Sequence, residues 1–169
     1  LDFLQQVIHK QDDQCVGIDA QSRRNLEIDV RSNGATDHTL LSLMDTTVTP
    51  MGSRLLQRWL HEPLRNVDSV IRRQHWVTDV LAARAGEDIR VSVKPAGDLE
   101  RILTRVNLGS ASPRDIGKLR DALGQLPGIK EALQSINGEL NEQLIVSLGD
   151  FTHLHSKLTQ DLVDEPPVT

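Results

Sequence analysis

The chain has 169 residues, with 19 Lys and Arg against 24 Asp and Glu, for a formal charge of −5. That length suits one modest domain with a real core, and the charge argues against a dedicated nucleic-acid clamp, for which a basic patch is expected. One cysteine excludes an internal disulfide framework and suits a reducing cytoplasm, while no apolar run reaches membrane-spanning length and no basic-then-apolar leader opens the chain.

Aromatic residues make up 2% with no tyrosine, so Leu, Ile and Val must build the core. In residues 1 to 19, Val7-Ile8-His9 and Cys15-Val16-Gly17-Ile18 flank a polar run. They read as a small hairpin or two extended edges, although Leu1, Leu4 and Ile8 also fit a helix. Asp19 starts a helical turn that carries Arg23 and Arg24, and Ser32-Asn33-Gly34-Ala35 is a turn before a helical body. Leu40, Leu41, Leu43 and Met44 form a short apolar helix closed by Asp45, Thr46 and Thr47. Thr49-Pro50 then starts a second one, with a threonine cap and a proline where no N–H is needed. Met51, Leu55 and Trp59 recur every four residues with Leu56 and Leu60 beside them, against a polar face of Ser53, Arg54, Gln57, Arg58 and His61. Trp59 is therefore expected to be buried between helices, where truncation to alanine costs roughly 3–5 kcal/mol. Gly52 in this helix predicts a close helix contact, and Pro63 ends the helix. The two apolar helices and the polar corner between them are expected to nucleate the domain.

The remainder is helical in period. Asn66 caps a helix to about Ala85, with Val67, Val70, Ile71, Val77 and Leu81 on its inner side and Gly86 as its breaker. A short segment from Ile89 to Val93 stops at Lys94-Pro95. Leu99, Ile102, Leu103 and Val106 make the plainest stripe. Ser112, Pro113 and Asp115 start another helix with a cap, a first-position proline and an acid in the first turn. Its seam is Ile116, Leu119, Leu123 and Leu126, and Ile129, Leu133 and Ile136 continue after Pro127-Gly128. Leu140, Leu144, Ile145 and Leu148 form a further stripe, and Phe151, Leu154, Leu158 and Leu162 the last, closed by Glu165-Pro166-Pro167. No fixed-period repeat is present, which disfavours a solenoid. The expected fold is all-α: an irregular multi-helix bundle with a short extended or hairpin segment near the N-terminus.

Little here carries chemistry. Cys15 has no nearby histidine and reads as a buried structural thiol. His153 and His155, two apart on a helix, point to different faces and lack metal-ligand company. No Gly-rich string ends in Lys-Ser or Lys-Thr, so no phosphate-cradling loop is present. Asp98 and Glu100 sit beside Arg101 and Arg105 as surface pairs. Arg72-Arg73 and the trio Arg114, Lys118 and Arg120 read as solvated helix faces, with no interleaved aromatics for base stacking. No catalytic, cofactor-binding or metal residue is expected.

Three separated strings carry a resemblance. The run Leu43, Asp45, Thr47, Thr49, Met51, Gly52, Arg54, Leu55, Leu56, Trp59, Leu60 and Pro63 resembles the MutS family of DNA mismatch-repair ATPases, in their central helical core, third or lever domain. Asp19, Arg23, Arg24, Asn25, Leu26 and Glu27 resemble the signature opening that domain. Asp98, Leu99, Glu100, Arg101 and Arg105 match a third signature, and Pro113-Arg114-Asp115 a weaker fourth. The order and spacing look closest to the bacterial members. The resemblance implies a parent that is a DNA-dependent ATPase using ATP and Mg in a C-terminal domain. It binds mismatched double-stranded DNA with a second subunit, becomes a sliding clamp, signals to a MutL-type repair partner, and is cytoplasmic and nucleoid-associated. It places Arg23 and Arg24 at a domain junction, pairing with acids rather than with DNA phosphates. The mismatch-probing Phe-x-Glu role is not carried to Phe3.

The chain ends at Leu1 and Val168-Thr169 read as cuts from something longer. Residues 1–36 are expected to be a leading segment at the junction with a preceding domain, 37–165 the helical core, and 166–169 an exit toward a lever and clamp region. By itself the fragment is expected to lack ATPase activity, bind DNA weakly or not at all, and act as a relay of ATP-driven change. Two other readings stay open: a generic helical interaction module, marked by a large exposed Leu patch, and a small enzyme, which needs a convergent polar pocket.

Overall fold

Start and stop signals along the chain set most of the element boundaries. The structure, a computed structural model, describes residues 14–165 and Pro167; the Val7-Ile8-His9 arm, Phe3 and most of 166–169 lie outside the described residues. Among the described residues the elements are α1 (Ala20–Asn25), α2 (Leu40–Met44), α3 (Pro50–His61), α4 (Val67–Ala83), α5 (Gly86–Val93), a 3-10 turn (Lys94–Ala96), α6 (Leu99–Asn107), α7 (Pro113–Gly124), α8 (Leu126–Gln134), α9 (Glu139–Ser147) and α10 (Thr152–Asp161). The fold is all-α, as expected. The chain divides into two compact units. One holds the described residues up to Asp45 together with Leu56–Ile71; the other holds Thr46–Leu55 and the chain from Arg72 onward.

In the first unit the extended run near the N-terminus pairs with a distant partner. Cys15 forms an isolated antiparallel bridge with Leu64, the Val16 N–H donates to the Pro63 carbonyl at 2.7 Å, and the Arg65 N–H donates to the Gln14 carbonyl at 2.9 Å. Cys15 is half-buried rather than buried. Asp19 caps α1, its carboxylate accepting from the Ser22 N–H at 2.8 Å. The turn around Gly34 closes through Arg31 N–H to Ala35 O at 2.8 Å. Buried Thr39 and exposed Ser42 then cap α2 reciprocally, the arrangement that satisfies two free N–H groups at once.

The second unit contains the larger core. Ala85, Ile129, Leu133 and Ile136 are buried together, with Trp76, Val80, Ile89, Leu126, Ile145 and Leu148 packed around them. The predicted run of Ile129, Leu133 and Ile136 is thus core. Asn141 sits among them at 1% exposure. Its amide donates to the Leu133 and Ile136 carbonyls, each at 2.8 Å, and its oxygen accepts from the Trp76 indole N–H at 3.4 Å. One side chain therefore satisfies the Ile136 carbonyl just past α8, adds a bond to the Leu133 carbonyl that also accepts the Ile136 N–H at 3.0 Å, and ties α4 to α9. Around α7 the buried residues are Ile102, Ala122 and Leu123, with Ala96 from the 3-10 turn. Ser112 and Asp115 form the predicted capping box, with Pro113 at the first position.

Several expectations give way here. Trp59 is 42% exposed, and α3 has no buried residue; the packed tryptophan is Trp76. The corner helices α2 and α3 therefore do not nucleate the core. On α4, Val67, Ile71, Val77 and Leu81 are exposed, Leu81 at 72%, and the inner side is Trp76, Val80 and Ala83. Two apolar stripes run along this helix, and periodicity does not say which one finds a partner. Gly86 starts α5 instead of breaking α4. The break falls at Arg84, whose φ is 54°, and at buried Ala85. On α6 only Ile102 is buried, while Leu103 and Val106 are exposed. The α7–α8 break falls at Gln125, before Pro127, because proline is tolerated in a first helical turn.

Candidate functional site

The polar corner before α3 is tightly packed at Thr47, Thr49 and Gly52. Thr49 is buried, and its hydroxyl accepts the Gly52 N–H at 3.1 Å. A β-carbon at Gly52 would lie 3.2 Å from both Thr47 Cβ and Thr49 Oγ1. The close contact expected at Gly52 is real, but its partner is the corner itself and not a second helix. The Arg90 guanidinium fixes the corner from α5 by donating to the Thr46 carbonyl at 2.8 Å.

One turn further on, Arg54 leaves α3 toward the first turn of α6. Its guanidinium holds Asp98 with two bonds, Nη1 to Oδ2 at 3.0 Å and Nη2 to Oδ1 at 2.6 Å. It reaches Glu100 Oε2 with two more, at 3.0 and 2.6 Å. This fork-to-carboxylate geometry is specific to arginine. Asp98 also caps α6 through the Arg101 N–H and lies 3.5 Å from the Arg101 guanidinium. Its side chain is 18% exposed. The Arg54 hydrogen bonds hold the Asp98 carboxyl below its usual range, and Asp98, then Glu100, hold the Arg54 guanidinium still more firmly charged. Glu100 itself is exposed, so salt screens that half of the junction more.

A second polar junction lies in the first unit, on the other half of α3. Asp29 Oδ2 accepts the Gln57 amide at 3.1 Å and lies 2.9 Å from His61 Nε2. Helix α3, like α4, is divided between the two units, with Pro50–Leu55 in one and Leu56–His61 in the other. At the opposite end of α6, Arg105 pairs with Asp115 at 3.1 Å. Hydrogen bonds from Ser112 are the main reason the Asp115 carboxyl sits below its ordinary value.

The remaining signature residues are placed as follows. Arg23 and Arg24 donate to the Ile18 and Ser32 carbonyls, at 2.7 and 3.2 Å. Asn25 accepts from Gln21 at 3.0 Å, and Leu26 is exposed. Glu27, at φ 48°, accepts the Ser32 N–H at 3.2 Å and offers its carbonyl to the Leu40 N–H. Asp45 closes α2. Leu55 and Trp59 are exposed, while Leu56, Leu60, Pro63 and Leu99 are half-buried. Structure therefore unites the strings around Arg54 and around Asp98–Arg101, and leaves the string around Asp19–Glu27 as a capped turn. Sequence reasoning missed the Arg54 junction and Asn141. The first joins residues 44 apart, and the only local hint of the second was a polar residue inside an apolar stripe.

None of this is catalytic geometry. The carboxylates above are held by a cation, a cap or an amide, and the hydroxyls beside Asp19 and Asp115 are those of helix-cap contacts. Among the described residues no group of three or more His, Cys, Asp or Glu gathers as a metal site, and no helix is long and apolar enough to cross a membrane. His155 packs against Gly124 and His153 is exposed. What remains is a helical body whose polar side chains fasten one helix to another. The family comparison matches that character: residues 21–169 correspond to MutS domain III, so the chain belongs to the MutS domain III family, a non-catalytic core domain of DNA mismatch-repair proteins.

Proposed function

We propose that this chain serves mismatch repair as a mechanical relay, passing ATP-driven movement among the ATPase, clamp and mismatch-binding parts of a MutS-like parent. The observation that supports it is the Arg54 junction, where a four-bond ionic contact ties α3 to the start of α6 with no reacting group beside it. In this reading the parent is a bacterial, cytoplasmic, nucleoid-associated ATPase that uses ATP and Mg. It works with a second subunit and a MutL-type partner, while the chain itself binds DNA weakly and without mismatch preference. Residues 1–36 join it to a preceding domain, 37–165 are the core, and 166–169 lead toward the lever and clamp.

The test is Arg54→Ala in the full-length protein. Mismatch binding and basal ATP hydrolysis should persist while ATP-driven release from the mismatch slows severalfold. Release at the wild-type rate would overturn the relay reading. A second reading, a helical interaction module, draws on the exposed apolar side chains of α4 and α6, Leu81, Leu103 and Val106. Capture of a separate partner by the isolated chain through those residues would favour it.

A further inference from the structure

Helix α7 packs against α6, α8, α10 and the 3-10 turn, and it bears a largely buried arginine. The Arg120 side chain is only 11% exposed. It donates to two backbone carbonyls just past α10, Val163 O at 3.2 Å and Asp164 O at 3.1 Å, while its Nε donates to Asp121 at 2.9 Å. A guanidinium can bridge two carbonyls and a carboxylate at fixed angles; an ammonium of the same charge cannot hold that fork. The start of the same helix is fastened to α6 by Arg105–Asp115, and the start of α6 to α3 by Asp98–Arg54. Helix α7 thus meets α6 through an ion pair as well as through packing, and α6 meets α3 through charged hydrogen bonds.

We infer that Arg120, Arg105 and Arg54 form one coupled route, by which a displacement of the segment after α10 reaches the first half of α3 through α7 and α6. The inference rests on the relay reading above and names its path within this unit. Contiguity alone does not establish coupling; it requires that a change at one end be read at the other, and equilibrium coupling must be reciprocal.

The test uses the full chain without ATP or DNA, by hydrogen exchange. Arg120→Lys should speed amide exchange severalfold at Leu162–Glu165, in α7, and also at Leu99–Ile102 and Ser53–Leu55. Arg114→Lys, an exposed change on the same helix, should alter none of these. Reciprocally, Asp98→Asn should speed exchange at Leu162–Glu165. An effect of Arg120→Lys confined to α7 and its strap, or an Asp98→Asn effect that stops short of α7, would overturn the route. If Arg120→Lys unfolds the chain, Arg105→Gln reads the middle of the route: both α7 and Ser53–Leu55 must respond, and a response in one alone overturns it. Because no nucleotide is present, a missing route and a failed ATP relay are separate outcomes.

Discussion

Helices α3 and α8 make opposite uses of similar apolar content. Helix α3 carries more of the residues that resemble MutS proteins than any other helix, yet it has no buried residue, and its contacts include Arg54 to Asp98 and Glu100 and Gln57 and His61 to Asp29. Helix α8 carries none of the resemblance strings and supplies Ile129 and Leu133 to the core, with Ile136 just beyond its end. The difference separates two demands on a helix. Core positions ask for volume and apolarity, which many sequences satisfy. Directional ionic contacts and a glycine pressed against a threonine ask for particular residues at particular places, and that makes a recognisable string.

The contrast is broken most severely by Leu133→Ala. Its buried side chain should cost about 2–5 kcal/mol, read as a fall in the urea midpoint, and a loss as small as that of an exposed residue would show that α8 is not the core helix. Asn141→Ala should follow at about 1–3 kcal/mol, because it removes the side-chain donor to the Ile136 carbonyl and the acceptor of the Trp76 indole. Trp59→Ala should cost about 1 kcal/mol, well below full-burial cost, since its ring already meets solvent. Iodide should quench Trp59 fluorescence readily and Trp76 poorly.

The pH dependence sharpens the same comparison at the Arg54 junction. The Asp98 carboxyl is depressed when folded, so its contribution is present above the unfolded value of about 3.9 and is lost as pH falls through the lower folded value. The stability gap between wild type and Asp98→Asn, measured by urea midpoints, should be constant from neutral pH down to about 4–5 and close below it. A gap that persists in strong acid would mean that the Asp98 charge does not carry the difference. The smallest effect is expected of Arg58→Ala, within about 0.5 kcal/mol, since that side chain is exposed.

Much of the local structure was legible in the chain. Asp19, Thr49, Asn66 and the Ser112–Asp115 box cap the helices they were read to cap, because a cap depends on atoms three residues apart and on little else. Family membership was legible for a similar reason, as strings of specific residues in order. The stripes were legible as stripes and misleading as burial: Trp59, Leu81 and Leu103 share the periodicity of Ile129 and Leu133 but meet solvent. What periodicity measures is one helix; burial needs a second surface, which is brought up by chain far away in sequence.

The sequence by itself determined the helical class, most helix starts, the family and the absence of a phosphate-binding loop, since each depends on residue type and short-range spacing. Only the tertiary structure decided that Trp76 rather than Trp59 packs on the core, that Asn141 closes the end of α8, and that Cys15 pairs with Leu64. It alone matched Arg54 with Asp98. An ion pair across 44 residues leaves no periodic trace in the chain, because any arginine on the polar face of α3 and any acid near a helix start would look the same until folding sets the two within hydrogen-bonding distance.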